Sequence, residues 1–203
     1  MPRALPPAAT TAVVTMELQR GVVGDLGNME ALTAAATARG TLQRCGVLVD
    51  AARANGVAVV HAQVEWRADR RGTPLNTPMV SMLAKNPAQM LEHTDAVAPL
   101  PELGDTSGDL VSVRRHGMTP FTGTDLDALL RSLGVTAVVA CGVSLNVGVL
   151  GLCLGAVDLG YQVVVPTDAV VGVPEAYGDD VLAHSLAPLT TLTTVDDLVA
   201  AWA

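Results

Sequence analysis

Residues 134–157, GVTAVVACGVSLNVGVLGLCLGAV, carry no charge and change character twice, which constrains the fold more than any other stretch of the chain. The run 135–140 is short, apolar and β-branched, as expected of a central strand of a parallel sheet covered on both faces. Ser144 and Asn146 then mark a polar turn, and the helix they open carries Gly148, Gly151 and Gly155. Each glycine costs about 1 kcal/mol against alanine in a helix interior, so close packing or a nearby ligand is the expected reason for them. A helix that starts at the carboxyl end of a parallel strand offers unpaired N–H groups to an anion or a developing oxyanion. Hydropathy alone would suggest a membrane span. The polar residues in the middle and the lack of a basic flank argue instead for the core of an α/β protein.

The remaining pattern extends this reading. Strands are predicted at 11–16, 57–62, 110–113, 135–140, 161–166 and 190–195. Helices are predicted over 29–55 with a break near Gly40, and over 124–133, 145–159, 174–186 and 195–202. Strands alternating with helices imply a doubly wound, mainly parallel six-stranded sheet in a three-layer α-β-α sandwich of Rossmann-like type. Ligands are expected at the carboxyl ends of its strands. With 203 residues, half of them apolar, and no biased linker, one domain spanning 1–203 is the expectation. The proline-bearing stretch 68–109 reads as an irregular excursion, a lid or a subunit contact.

Composition excludes several partners. A net charge of −8 leaves no basic patch for nucleic acid or anionic lipid, and two Trp, two Tyr and one Phe make no stacking platform. Cys45, Cys141 and Cys153 lack metal-ligand spacing and read as reduced core thiols. The apolar run after the proline-rich lead is cut short by Glu17, too early for a secretory segment, so a cytoplasmic location is expected. The first strand-to-helix turn, MELQRGVVGDLG, lacks both GxGxxG and GxxxxGK[ST], and no nucleotide cofactor is expected. His61 reads as a satisfied core histidine, with no second ligand at metal spacing.

Three segments together resemble the isochorismatase-like family of cysteine hydrolases: TAVVTMELQRGVVG, VRRHGMTPFTGTDLDALLRSLGV and VVACGVSLNVGVLGLCLGAVDLGYQVVVPTDAV. The resemblance implies a six-stranded sandwich, a homodimer or higher homo-oligomer, and a small-molecule substrate. Its hydrolytic members use an aspartate after the first strand, a lysine after the third and a cysteine at the start of the helix after the fourth. Aligned on the motifs, Glu17, Arg115 and Gly148 occupy those positions, and the only lysine, Lys85, lies in the excursion. The family's cis peptide would fall between Val143 and Ser144. The metal site of the nicotinamidase branch is replaced by AQVEWRAD, so no metal is expected.

Without a thiolate, a covalent acyl intermediate has no nucleophile at its usual position. True isochorismatases also lack this cysteine; there the acid gives a proton to an enol ether and water completes the hydrolysis. The resemblance therefore implies hydrolysis with Glu17 as general acid or base, Arg115 clamping an acidic ligand, and N–H groups from Ser144 to Gly148 binding an oxygen. Gln19, Gln63, Trp66, His116, Phe121, Val143, Ser144, Leu145 and Asn146 are the implied substrate-binding positions, with Gln63 and Trp66 also open to a subunit-interface role. The alternative is a catalytically silent paralogue, in which Glu17 and Arg115 form a structural ion pair filling a disused site and the chain binds a ligand or partner.

Overall fold

The computed structural model describes residues 4–86 and 89–203; the start of the proline-rich lead and residues 87–88 of the excursion lie outside the described residues. Six parallel strands are β1 (Thr11–Met16), β2 (Ala58–Val64), β3 (Leu110–Arg114), β4 (Ala137–Gly142), β5 (Gln162–Pro166) and β6 (Thr191–Thr193). They lie in the order β3-β2-β1-β4-β5-β6, and a single parallel bridge between Gly142 and Val170 adds to the margin beyond β4. The chain moves outward from β1 to β3 and then returns to the other side of β1, so the winding reverses between β1 and β4. In an open α/β sheet, the crevice at the carboxyl ends of two such strands is where a ligand fits.

β1 and β4 are buried at every position, which explains why both read as unbroken apolar runs. Side-chain alternation divides their residues between two cores. Val13, Val139 and Cys141 pack on one face with the helices α1 (Glu30–Ala38), α2 (Thr41–Ala54) and α7 (Val195–Trp202). Ala12, Val14, Met16, Val138 and Ala140 pack on the other with α4 (Leu126–Ser132) and α5 (Leu150–Asp158). The expected break between α1 and α2 falls at Gly40, whose φ of 63° is the left-handed conformation that glycine adopts without a Cβ penalty. No helix among the described residues is long and apolar enough to cross a membrane.

Three departures from the expected elements matter for the site. The helix after β4 starts with a π-helical turn, Leu145–Val149, before α5. The predicted helix at 174–186 is α6 (Glu175–Asp180) followed by a second π-helical turn, Val181–Leu186. β3 runs one residue past the expected end, to Arg114.

The excursion contains α3 (Pro78–Leu83), which Pro78 opens and Thr77 caps by accepting the Val80 N–H. It returns across the mouth of the sheet through bridges of Trp66 with Leu91 and of Gln19 with Pro99. Residues 74–86 and 89–90 therefore lie over the carboxyl ends of the strands.

Candidate active site

The switch point opens into a cleft whose empty space, open solvent included, is about 820 Å³. Glu17, Arg114, Ser144 and Gly148 form its polar floor; Val22, Leu32, Trp66, Met79, Val80, Leu83, Met90, Met118 and Val147 make most of its wall apolar. The floor residues arrive by three strands: Glu17 after β1, Arg114 at the end of β3, and Ser144 and Gly148 after β4. Glu17 follows β1 directly and has a φ of 53°, an uncommon conformation for a residue with a Cβ. Its N–H donates to Ala62 O at 3.0 Å, and its own carbonyl accepts from the Gln19 N–H at 2.8 Å. This tight turn directs the carboxylate into the cleft rather than along the strand.

The cation that meets Glu17 is Arg114, not Arg115. Ser112 and Arg114 occupy alternate positions of β3 and are both buried, whereas Arg115 lies past the strand and turns outward. Alignment on the motifs misses this, because only strand alternation decides which of two adjacent arginines faces in. Arg114 Nη2 donates to Glu17 Oε1, and Nη1 donates to the Met118 carbonyl at 3.0 Å. The Arg114 side chain is 5% exposed and that of Glu17 is 16% exposed. Arg115 lies between Glu65 at 2.8 Å and Glu92 at 2.7 Å, so the clamp expected for an acidic ligand is occupied by the chain's own carboxylates. The Arg115 donor, together with the Ala68 N–H, holds the Glu92 carboxyl below its usual range.

The turn after β4 has the expected cis peptide between Val143 and Ser144. Several of its N–H groups are already used. Those of Val147 and Val149 donate to Ser144 O at 3.2 and 3.0 Å, and that of Leu145 donates to Val171 O at 2.8 Å. Gly148 borders the cleft in tight surroundings: a Cβ there would lie 2.9 Å from Val143 O and 3.2 Å from two carbons of the Met16 side chain. Backbone and Met16 thus occupy the space that a side chain at 148 would need.

Ser144, Trp66 and His116 line the cleft, His116 at its exposed edge. The other proposed contacts lie elsewhere. Gln19 is fully buried; its Nε2 donates to Val64 O and Val97 O, each at 3.1 Å, and its Oε1 accepts the Val64 N–H at 2.9 Å. It ties β2 to the returning excursion and has little left for a substrate. Phe121 stacks on Tyr161 with centroids 6.1 Å apart, and Leu145 lies in the core. Asn146 Nδ2 donates to Val173 O at 3.3 Å. Gln63, Val143 and Asn146 do not border the cleft.

None of the three cysteines reaches the cleft, and all are buried and free. Burial pushes the Cys153 thiol up to about 12. Cys45 is raised by its contact with Cys141 and by burial, and its Sγ contacts Ala169 O at 3.2 Å. His61 is satisfied on both ring nitrogens, by Thr15 Oγ1 at 2.8 Å and Asp109 Oδ2 at 2.9 Å. A carboxylate only accepts, so Nε2 carries the proton and Nδ1 accepts from the threonine hydroxyl. Among the described residues, no group of three or more His, Cys, Asp or Glu side chains is arranged to hold a metal ion.

Two groups in the cleft were not foreseen from the sequence. Gln89 is 2% exposed; its Nε2 donates to Gly21 O at 2.9 Å, and its Oε1 has no partner. The Nε of Arg114 is likewise buried without a partner. Leaving such groups unpaired costs about 1–3 kcal/mol each. Alternation along β3 could have pointed to Arg114. No local signal points to Gln89, which reaches the cleft only because the excursion folds back.

Comparison with known proteins agrees with this architecture. The isochorismatase domain family model matches residues 11–197. An uncharacterized isochorismatase family protein, YecD of Escherichia coli O157:H7, is 30% identical over 192 residues, which are 95% of this chain and 96% of that protein. Among solved structures, an isochorismatase family protein from Burkholderia thailandensis superposes with a TM-score of 0.78 at 26% identity, covering 99% of this chain and 98% of that one. A cysteine hydrolase from Pseudomonas syringae pv. phaseolicola 1448A shares the fold, with a TM-score of 0.79 at 21% identity and coverage of 99% and 96%.

Proposed function

The chain belongs to the isochorismatase family, and from that premise we propose that it is a hydrolase of a small metabolite that works without a cysteine nucleophile. The observation that carries this reading is that Glu17 and Arg114 touch through one guanidinium nitrogen at the floor of an open cleft, instead of filling it. Glu17 then serves as general acid or base. With a vinyl-ether substrate the protonated form of Glu17 gives its proton to the enol carbon, the carboxylate left behind takes a proton from the water that adds to the resulting oxocarbenium carbon, and the hemiketal formed collapses to a carbonyl and an alcohol. Arg114 holds the carboxylate in position with a planar donor of fixed direction. The Gly148 amide, at the cleft floor, is the backbone group we assign to a substrate oxygen. We assign to Arg114 the place beside the acid that alignment on the motifs gives to Arg115.

The silent reading keeps one observation in its favour. With the space at 148 taken by Val143 O and Met16, the pocket has no place for the family's sulfur without backbone movement. In that case the cleft binds a ligand and does no chemistry. We also propose that the chain acts as a homodimer or higher homo-oligomer, supported by Leu75, Met79 and Met82, which stay 60, 36 and 57% exposed on the excursion.

Assaying the purified protein against isochorismate, nicotinamide and small N-carbamoyl compounds, with intact-mass measurement during turnover, tests the proposal. Product formation with an unmodified protein mass supports it. An acyl adduct on a thiol, or binding without product across a wider substrate panel, contradicts it.

A further inference from the structure

The two ends of the segment 71–86 meet at one side chain, that of Arg70. Its Nη1 donates to Ala84 O at 3.1 Å and its Nη2 to Asn86 O at 2.6 Å. These carbonyls lie at and beyond the C-terminal end of α3, where backbone acceptors lack intrahelical partners. A planar fork reaches both at once, which a single ammonium does not. The same guanidinium lies over Trp66, its central carbon 5.3 Å from the ring centroid, within cation–π range. Trp66 is buried, lines the cleft and is itself fixed: its N–H donates to Met90 O at 2.7 Å, and its carbonyl accepts from the Glu92 N–H at 2.8 Å. Arg70 thus joins the neck of the excursion to the wall of the cleft.

The segment beyond that neck is tied mainly to itself. Among the described residues, the hydrogen bonds of 74–83 stay within 74–86; Ser81 Oγ donates to Leu75 O at 3.1 Å, and the Ser81 N–H donates to Thr77 O at 3.0 Å. Yet Pro74, Asn76, Met79, Val80 and Leu83 all line the cleft. Apart from apolar packing, strongest at Val80, which is 6% exposed, their place over the site is set at the neck. The backbone of Arg70 points the same way. Its φ of 55° lies in the left-handed region, which asparagine or glycine fills with less strain. A turn alone gives no reason for an arginine there, so the reason lies in its side chain.

We propose that Arg70 is a positioning residue: by closing the neck of 71–86 against Trp66, it holds the apolar wall of the cleft in place and so sets how tightly the site binds its substrate. The statement about substrate rests on reading the cleft as the reaction site; the closure of the neck does not.

Arg70→Asn tests this, because asparagine suits the backbone of the turn but is too short to span Ala84 O, Asn86 O and Trp66. In hydrogen exchange followed by mass spectrometry, amides of 74–86 should exchange about tenfold faster or more in the variant, with those of β1 and β4 unchanged within about twofold. Trp66 gives a second signal. With Trp202→Phe in the background it is the only tryptophan, and its acrylamide quenching constant should rise about twofold or more in Arg70→Asn. Arg70→Lys keeps the charge without the fork and should fall between the two on both measures. On a substrate that the wild type hydrolyses, KM should rise about fivefold or more while kcat stays within about twofold, because 74–83 supplies binding surface and no group of the polar floor. Unchanged exchange and quenching, an equal acceleration in β1 and β4, or a loosened segment with an unchanged KM would overturn the inference. Should Arg70→Asn fail to fold, Arg70→Lys is read by the same measures; failure of both would make the role global and overturn it as well. Exchange and quenching need no substrate, so a protein that hydrolyses nothing would remove the chemistry and leave the neck to be decided by them alone.

Discussion

Arg114 contacts the Glu17 carboxylate with Nη2 alone, while Nη1 is tied to the Met118 carbonyl and Nε is buried without a partner. An arginine placed only to neutralise a buried acid would be expected to engage both oxygens with its planar fork. The one-sided contact leaves the second carboxylate oxygen outside the pair.

Arg114 and Arg115 are adjacent but should differ greatly under substitution. Arg114→Met leaves Glu17 without its partner in a largely buried setting and is expected to destabilise the fold by roughly 2–4 kcal/mol. Arg115→Met removes half-exposed ion pairs and should cost about 1 kcal/mol or less. Urea denaturation of both variants measures this, and equal losses would contradict the register of β3.

At position 148 a Cβ would press on Val143 O and Met16. Gly148→Ala is therefore expected to lower unfolding stability by about 1–3 kcal/mol through overpacking. Gly148→Cys should lose at least as much and gain no thiol-dependent turnover. A stable, alkylation-sensitive Gly148→Cys enzyme would show that the pocket can still accept a sulfur.

Gln19 makes three hydrogen bonds, to Val64 O, Val97 O and the Val64 N–H. Gln19→Leu leaves those buried backbone groups unpaired and should cost on the order of 3 kcal/mol. If Gln19 instead contacted substrate, the variant would keep its stability and lose ligand affinity, an outcome that calorimetry distinguishes.

His61 gives the stability a pH dependence of known sign. Burial lowers its pKa below the ordinary 6.5, against the opposing pull of Asp109. Between the folded pKa and 6.5 the unfolded chain binds more protons, so stability rises with pH through that window and is fully present above 6.5. Asp109 acts in a lower range. Burial pushes its carboxyl up, but Arg53 and His61 together bring it below 3.8, so its contribution is lost as pH falls through and below that value. In His61→Gln the slope of unfolding free energy between pH 7 and 5.5 should flatten; an unchanged slope would mean that His61 is not held neutral.

Much of the sheet can be read from the residues because β1 and β4 are buried on both faces and so appear as continuous apolar runs, and Gly40 marks the break between α1 and α2. Glu17, Ser144 and Gly148 could be placed at the cleft for the same reason: each sits at or just after the end of such a strand. Arg114 was missed by one position. Loop motifs count residues, whereas a strand selects every second side chain, and the buried pair Ser112 and Arg114 reveals that alternation only once the end of β3 is known. Gln89, Met90 and the residues of α3 come to the cleft through long-range folding of the excursion, which no local pattern encodes. The turn Leu145–Val149 is π-helical, so its side chains do not follow regular helix spacing, and Leu145 lies in the core.

The most direct test is the turnover of Glu17→Gln against wild type, on any substrate the wild-type protein hydrolyses, with unfolding curves measured in parallel. Loss of a general acid or base should reduce the rate by about a hundredfold or more while the fold stays intact. Turnover within a factor of two of wild type would contradict the assignment of the chemistry to Glu17.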